Sequence, residues 1–471
     1  MRTLLLVVFS LSIFAFHGVM AAVPVTGQWQ IQPSVAVSEM YTDNIDLTTP
    51  ELAEEEFVTE LTPSLAVNGV GRRAQVDFGY NFRALSYARD HQRNKVFHQL
   101  RSSLVAELAR NLLFLEANAI ASQQAVDSLG NVRPNVYLLS ADVANVVTTK
   151  ISPYLRHAIT RDLLTELRYT RSWVEYDLPQ LSDRGTEQVF ASLGNNPRLG
   201  SSLDWKLSVL EDSNLYDNQD ETKTQKTNVN VSYALNQRIK VFADGGYERN
   251  SFESATQSSN PEGTIWNIGA SWTPTSRSLI EGSFGERFFG KTYTLKFQNR
   301  WRHAKFRLGY AEDTVSSGSS TLLESSTFEQ TGLTAEQAGT SALRNEGFVQ
   351  QRFSLDIDFN FIRNKISLKA YHDQREFQLA LDKEKSFGGS VTWDWNISRR
   401  NQISLNTRWE KREFSTTTNE NELMYGGISL HSQLGRKLSS TLSYHYTERD
   451  AQVFVDTHSE NSARAKLTWF F

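Results

Sequence analysis

The chain ends Asn461-Ser-Ala-Arg-Ala-Lys-Leu-Thr-Trp-Phe-Phe471. Asn461, Ala463, Ala465, Leu467, Trp469 and Phe471 share one face of an extended chain, and Ser462, Arg464, Lys466 and Thr468 share the other. A repeat of two residues marks a strand, because successive side chains alternate sides. One face is apolar apart from Asn461 and the other carries two cations, so the segment requires a different solvent on each side. Two settings supply that: the wall of a membrane barrel, or the edge of a soluble sandwich.

Working back through the chain, the same pattern recurs. Trp29, Ile31, Val35 and Val37 alternate with Gln30, Gln32, Ser34 and Ser38, and Val76, Phe78, Tyr80 and Phe82 alternate with Gln75, Asp77, Asn81 and Arg83. Short turns fall at 69–73, 110–111, 160–162, 195–199, 236–238, 273–277, 302–304, 363–364, 398–401 and 435–437. Between them lie longer polar stretches near 42–55, 89–96, 124–142, 177–185, 212–221, 250–262, 313–347, 377–384, 413–420 and 449–458, and one short connection at 289–291. Strict alternation of short and long connections is the pattern of an up-and-down antiparallel β-barrel with periplasmic turns and outer loops. The spacing predicts an all-β transmembrane barrel of about 22 strands, within a range of 18 to 22, as a single domain over residues 23–471.

Composition agrees. Hydrophobic residues make up only 39% and mean hydropathy is -0.44, yet aromatics reach 11%. A barrel needs one apolar face per strand and fills the other with polar groups. Residues 1–22 read as a signal peptide, with Arg2, an apolar run from Leu4 to Phe16, and small residues at Ala21 and Ala22. After it no run approaches the ~20 apolar residues of a membrane helix. The first strand follows almost at once, which leaves no room for an N-terminal plug domain. With no cysteine, disulfides and thiolate metal sites are excluded, and a net charge of -4 gives no footprint for nucleic acid.

Aromatic belts test the topology, because tryptophan and tyrosine gather at the two membrane interfaces. Trp29, Trp272, Trp301, Trp393, Trp395, Trp469 and Phe471 lie at the turn ends of their strands. Trp173, Trp266 and Trp409 lie at the loop ends, and Trp205 falls nearer the middle. A soluble sandwich has no need of two belts.

The polar register assigns Arg83, Arg101, Lys150, Arg168, Lys206, Lys240, Lys296, Arg307, Arg352, Arg408, Arg464 and Lys466 to the lumen, interspersed with acids such as Glu116, Asp204 and Glu410. Charges at membrane depth cost roughly 2–4 kcal/mol on the lipid face. Two readings stand side by side. The charges form cross-strand ion pairs that hold the wall together, or they line a passage that favours anions. No dense basic ring stands out on the strand faces. Tyr87, Tyr154 and Tyr371 share the inward register and offer rings for stacking on sugars. The 313–347 stretch could fold inward as a constriction or stay outside as a surface loop. Ser429, His431, Ser443 and His445, with Glu410 one strand away, could assemble a hydrolase site. No motif supports a nucleophile there, so no catalytic residue, metal site or cofactor is expected, and the chain is not expected to be an enzyme.

Several stretches carry a likeness. Trp29-x-Ile-x-Pro33 precedes Tyr41-Thr-Asp-Asn-Ile45, Ser152-Pro-Tyr-Leu-Arg-His157 opens a turn, and Leu203-x-Trp205 begins a strand. Trp272-Thr-Pro-Thr-Ser-Arg277 leads into Gly285-Glu-Arg-Phe-Phe-Gly-Lys-Thr-Tyr293. Together they resemble the PEP-CTERM-system-associated outer-membrane β-barrel family, with Glu286 where that family favours a basic residue. The terminal aromatic residue resembles the sorting signal of bacterial outer-membrane barrels. These resemblances imply a bacterial outer membrane, contact with its lipid, and hand-over to the barrel-assembly machinery through the last strand. They imply a link to exopolysaccharide production. The leading expectation is a channel for an exopolysaccharide or related hydrophilic solute, with anionic polysaccharide as partner. The alternatives are a surface scaffold or assembly factor without an open pore and, behind both, an outer-membrane hydrolase.

Overall fold

A computed structural model describes residues 28–125, 143–178, 182–196, 202–217, 221–253, 258–316, 347–377, 382–414, 420–451 and 457–471. The expected signal segment and most of the expected constriction loop, 317–346, lie outside them. Twenty-two long strands run in chain order from Gln28–Thr42 to His458–Phe470, each antiparallel to the next, with one two-residue rung at Ser258–Ser259. The sheet closes on itself. The first strand pairs with Glu56–Val70 along its whole length and with the last strand from Ser34↔Phe470 to Thr42↔Ser462. Closure is what the bilayer demands, because an open edge would leave backbone N–H and C=O groups unpaired in hydrocarbon.

The strands form where the period of two is unbroken, and they stop where Gly, Asn, Arg and Ser replace it. The turn 110–112 uses Asn111 at φ 54, a left-handed position that asparagine tolerates. Two strands carry irregularities, between Glu107 and Ala109 and between Trp272 and Thr275. The second holds Pro274, whose missing N–H suits a bulge.

One face of the wall is apolar and uncovered: Val37, Leu61, Leu167, Val229, Ile268, Leu295, Ile428, Leu442 and Leu467 are all exposed. In a membrane this face meets lipid. Trp29, Trp272, Trp301, Trp395, Trp469 and Phe471 are exposed on it at the turn ends, and Trp393 stacks on Trp395 at 5.9 Å. Trp29 lies flat where a side chain on Gly69 would stand, its ring 2.2 Å from an added Cβ. Trp205 is the third residue of the strand Leu203–Tyr216, so it belongs to the turn-end belt and not to the middle. The connection before that strand runs on to residue 202, past the 195–199 turn that the sequence suggests, and this brings Trp205 to the strand's end.

Candidate functional site: the inward face

Register places all twelve basic residues named for the lumen on the face opposite the apolar band. Three charge clusters knit that face together. Glu60 accepts two hydrogen bonds from Arg83, at 2.7 and 3.0 Å, and one from Arg464 at 2.6 Å. Arg464 also donates to Ser38 Oγ at 2.9 Å, so the last, first and second strands meet at one carboxylate. Arg287 binds Glu248 at 2.8 Å across Gly263 and reaches Asp313 on the other side. Arg408 and Arg412 both hold Glu410.

The other cations vary in company. Arg168 binds Glu116 at 2.7 Å and Glu166 at 3.1 Å, Arg307 binds Asp358 at 2.8 Å, and Lys240 meets Asp204 at 3.4 Å. Lys206 lies 5.1 Å from the Phe190 ring and Arg352 lies 5.9 Å from Tyr371. Lys296 stands directly across from Glu281, Lys150 across from Asn118, Arg101 across from Gly79 and Lys466 across from Ser38.

Burial divides the inward face by height. At the loop end Thr42, Val58, Tyr87, Val146, Tyr216, Glu248, Phe252, Phe348, Phe377, Arg449 and Glu460 are buried. At the turn end Gln30, Gln32, Asp77, Lys206, Lys240, Arg300, Lys305 and His431 are exposed. Part of the loop-end packing comes from a segment that reads as polar in sequence. Residues 43–49 tuck inward, and Ile45 packs against Met40, Val58, Leu85, Tyr87 and Phe97. The Asn44 side chain holds this turn. It donates to Thr48 O at 2.7 Å and to Ser459 O at 3.0 Å and accepts from Thr48 N at 3.0 Å. Asp43 accepts from the Asn461 backbone and side chain, both at 2.7 Å. Leu47, 1% exposed, adopts φ 51, a strain of order 1 kcal/mol that its burial offsets. The Tyr41-Thr-Asp-Asn-Ile45 stretch is therefore a clamp on the closing seam.

This packing removes two of the three tyrosines as stacking platforms. Tyr87 is 1% exposed inside that cluster. Tyr154 is sandwiched between Phe114, with ring centres 5.0 Å apart, and the Arg168 guanidinium at 3.9 Å. Tyr371 lies against Gly388, where no side chain pushes it away.

The hydrolase constellation is not brought together. His445 Nδ1 is 2.7 Å from Tyr425 Oη and His431 Nδ1 is 3.2 Å from Thr441 Oγ1. Among the described residues neither histidine is hydrogen-bonded to Ser429 or Ser443, and Glu410 is engaged by two arginines. Among the described residues no cluster of three or more His, Asp or Glu is arranged for a metal ion.

A feature that strand faces could not reveal lies in the connections. Each of the ten turns carries a base: Arg72 and Arg73, Arg110, Arg161, Arg198, Arg238, Arg277, Arg302, Arg363, Arg399 and Arg400, Arg436 and Lys437, against a single acid, Asp162. Among the described residues, the connections at the other end hold ten Asp and Glu against two bases, Arg89 and Arg93. The barrel is thus polarised along its axis, cationic at the turn end and anionic at the loop end. Every turn arginine, taken singly, reads as an ordinary solvated turn residue; only the ring of turns makes the pattern.

The closed 22-strand wall with its apolar band defines a bacterial outer-membrane β-barrel protein, and the outer membrane is where it resides. Among solved structures the fold is similar to the FrpB iron transporter from Neisseria meningitidis, with a TM-score of 0.54 at 7% identity over 93% of this chain and 82% of that one. It is similar also to the siderophore receptor PiuA from Acinetobacter baumannii, with a TM-score of 0.50 at 8% identity over 93% of this chain and 82% of that one. These likenesses concern the fold alone. No family model and no curated protein matches the chain.

Proposed function

We propose that the barrel passes an exopolysaccharide, or a related hydrophilic and anionic solute, across the outer membrane. The observation that carries this reading is the inward face, which is polar, charged in both signs, and carries exposed residues such as Gln30, Gln32, Lys206 and Lys240 at its turn end. A barrel of this strand number encloses more space than its own side chains fill. The resemblance to the PEP-CTERM-associated family supports a polysaccharide as the solute. Purified protein in planar bilayers is expected to conduct, and proteoliposomes to take up acidic oligosaccharides. Absence of both, with residues 313–347 deleted to remove any obstruction there, ends the channel reading.

A second reading has its own support. The packed loop end, with the inward clamp at residues 43–49, suits a surface scaffold or assembly factor that displays loops without passing solute. Loop deletions that change retention of secreted partners and leave permeability untouched would favour it. We read the chain as a non-enzyme on its sequence, in which no motif marks a nucleophile. Assembly through the last strand and contact with outer-membrane lipid belong to the same proposal.

A further inference from the structure

Two neighbouring turn-end connections, 235–238 and 276–277, together with the strand ends 298–300 and 305–307, border a cavity of about 700 Å³. Its cations are Arg238, Arg277, Arg300, Lys305 and Arg307; Ser, Thr, Gln and Asn supply most of the remaining wall, and no acidic residue lines it. A cavity of that size lies within the range that holds small ligands, roughly 300–1,000 Å³.

The charges there are arranged unlike those elsewhere on the inward face. Arg300 and Lys305 are direct cross-strand partners, a like-charge pairing that destabilises a sheet when nothing neutralises it. Among the described residues Arg238, Arg277, Arg300 and Lys305 make no side-chain ion pair or hydrogen bond, and all four are exposed. Arg307 alone is partly neutralised, by Asp358 at 2.8 Å and Asp356 at 3.7 Å.

The frame behind them is fixed. Thr273 donates from its backbone to Arg238 O at 2.7 Å and from its hydroxyl at 3.1 Å, and Arg300 N donates to Arg277 O at 2.9 Å. The bulge between Trp272 and Thr275 leads the chain into this corner. Four exposed cations that make no side-chain ion pair, with Asp358 across from Lys305 on the neighbouring strand, gather around a cavity with neutral hydrogen-bonding walls and can take anions supplied from outside the fold. Arginine suits carboxylate and phosphate because its planar fork can bond two oxygens at once. The wider ring of turn bases draws anions toward the same mouth.

We propose that this cavity is a binding site for acidic sugar residues at the periplasmic mouth, where an anionic polysaccharide is first captured before it enters the lumen. This rests on the channel reading and adds where the solute is met, from which side, and by which residues.

The test uses the full-length protein in detergent or bilayers, with an oligogalacturonate as acidic probe, a malto-oligosaccharide of equal length as neutral probe, and inorganic phosphate. Wild-type protein is expected to bind the acidic probe, more weakly as salt is raised, and to bind the neutral probe far less. The R277Q/R300Q/K305Q variant is expected to lose affinity by about tenfold or more, while R249Q, at the loop end, binds as wild type does. In planar bilayers the acidic probe should block current at lower concentration from the turn side than from the loop side.

Unchanged binding in the triple variant, equal binding of the neutral probe, or binding of phosphate as tight as that of the oligomer would each overturn the proposal. A correct fold of the variant is checked by its heat-dependent gel mobility. The two readings fail separately. Protein that binds the acidic probe through these residues but conducts nothing loses the channel and keeps the site; protein that conducts with binding indifferent to them keeps the channel and loses the site.

Discussion

The charge cluster at the closing seam and the basic corner at the turn end use the same residue types to opposite purposes. At the seam, Arg83 is 2% exposed and Glu60 5%, and every contact is between wall residues. At the turn end, Arg277, Arg300 and Lys305 are exposed and have no acidic neighbour in their cavity. A buried charge must be satisfied by the fold itself, so the seam arginines belong to the architecture. An exposed charge costs the fold little, so the turn-end cations are free to answer to a ligand.

The strongest way to break this comparison is to remove the seam carboxylate. Glu60→Ala removes the carboxylate that Arg83 and Arg464 share, and a loss of about 3–5 kcal/mol is expected in denaturant unfolding from bilayers. Glu410→Ala removes the carboxylate that Arg408 and Arg412 share and should cost a similar amount. Stability within measurement error of wild type in either variant would mean that the buried clusters are not structural. A smaller effect, about 1–3 kcal/mol, is expected for Gly69→Val, whose side chain must displace the Trp29 ring from the turn-end belt; Trp29 fluorescence should shift with it. The R277Q/R300Q/K305Q variant should change stability by no more than about 0.5 kcal/mol. It should nevertheless move the reversal potential in a salt gradient toward cation selectivity.

The smallest effect concerns the loop end. Arg89 and Tyr41 hydrogen-bond Glu55 and hold its carboxyl below its ordinary value of 4.5, and Arg93 with the Gln92 N–H does the same for Asp90, ordinarily 3.8. A depressed folded-state value means that these contacts stabilise the loops above the ordinary carboxylate range and are lost as pH falls below it. Hydrogen exchange at residues 43–55 and 88–94 should therefore rise selectively in acid, while the wall stays protected. Uniform exchange across that range of pH would contradict the assignment.

The wall was legible because each strand repeats one local rule and each turn interrupts it. Gln28–Thr42 and His458–Phe470 could be recognised as partners because the count between them is even. What the sequence concealed depends on distance along the chain. Glu60 and Arg464 are 404 residues apart, and their meeting across Ser38 exists only once the sheet closes. Ile45 and Leu47 are two apolar residues in an acidic stretch, and their burial is decided by Asn44 and by neighbours on other strands. The turn-end corner does not show on the strand faces because Arg238 and Arg277 lie in separate turns, each ordinary alone.

The Glu60–Arg464 contact also bears on how the barrel is finished. Before the last strand docks, Glu60 is held by one cation, Arg83, and by the Thr62 hydroxyl; docking adds a second cation. A slip of one residue would turn Arg464 toward lipid, and a slip of two would carry it about 7 Å along the seam, away from Glu60. The final strand is thus proofread: only one alignment of the chain's end completes the carboxylate that its beginning holds out.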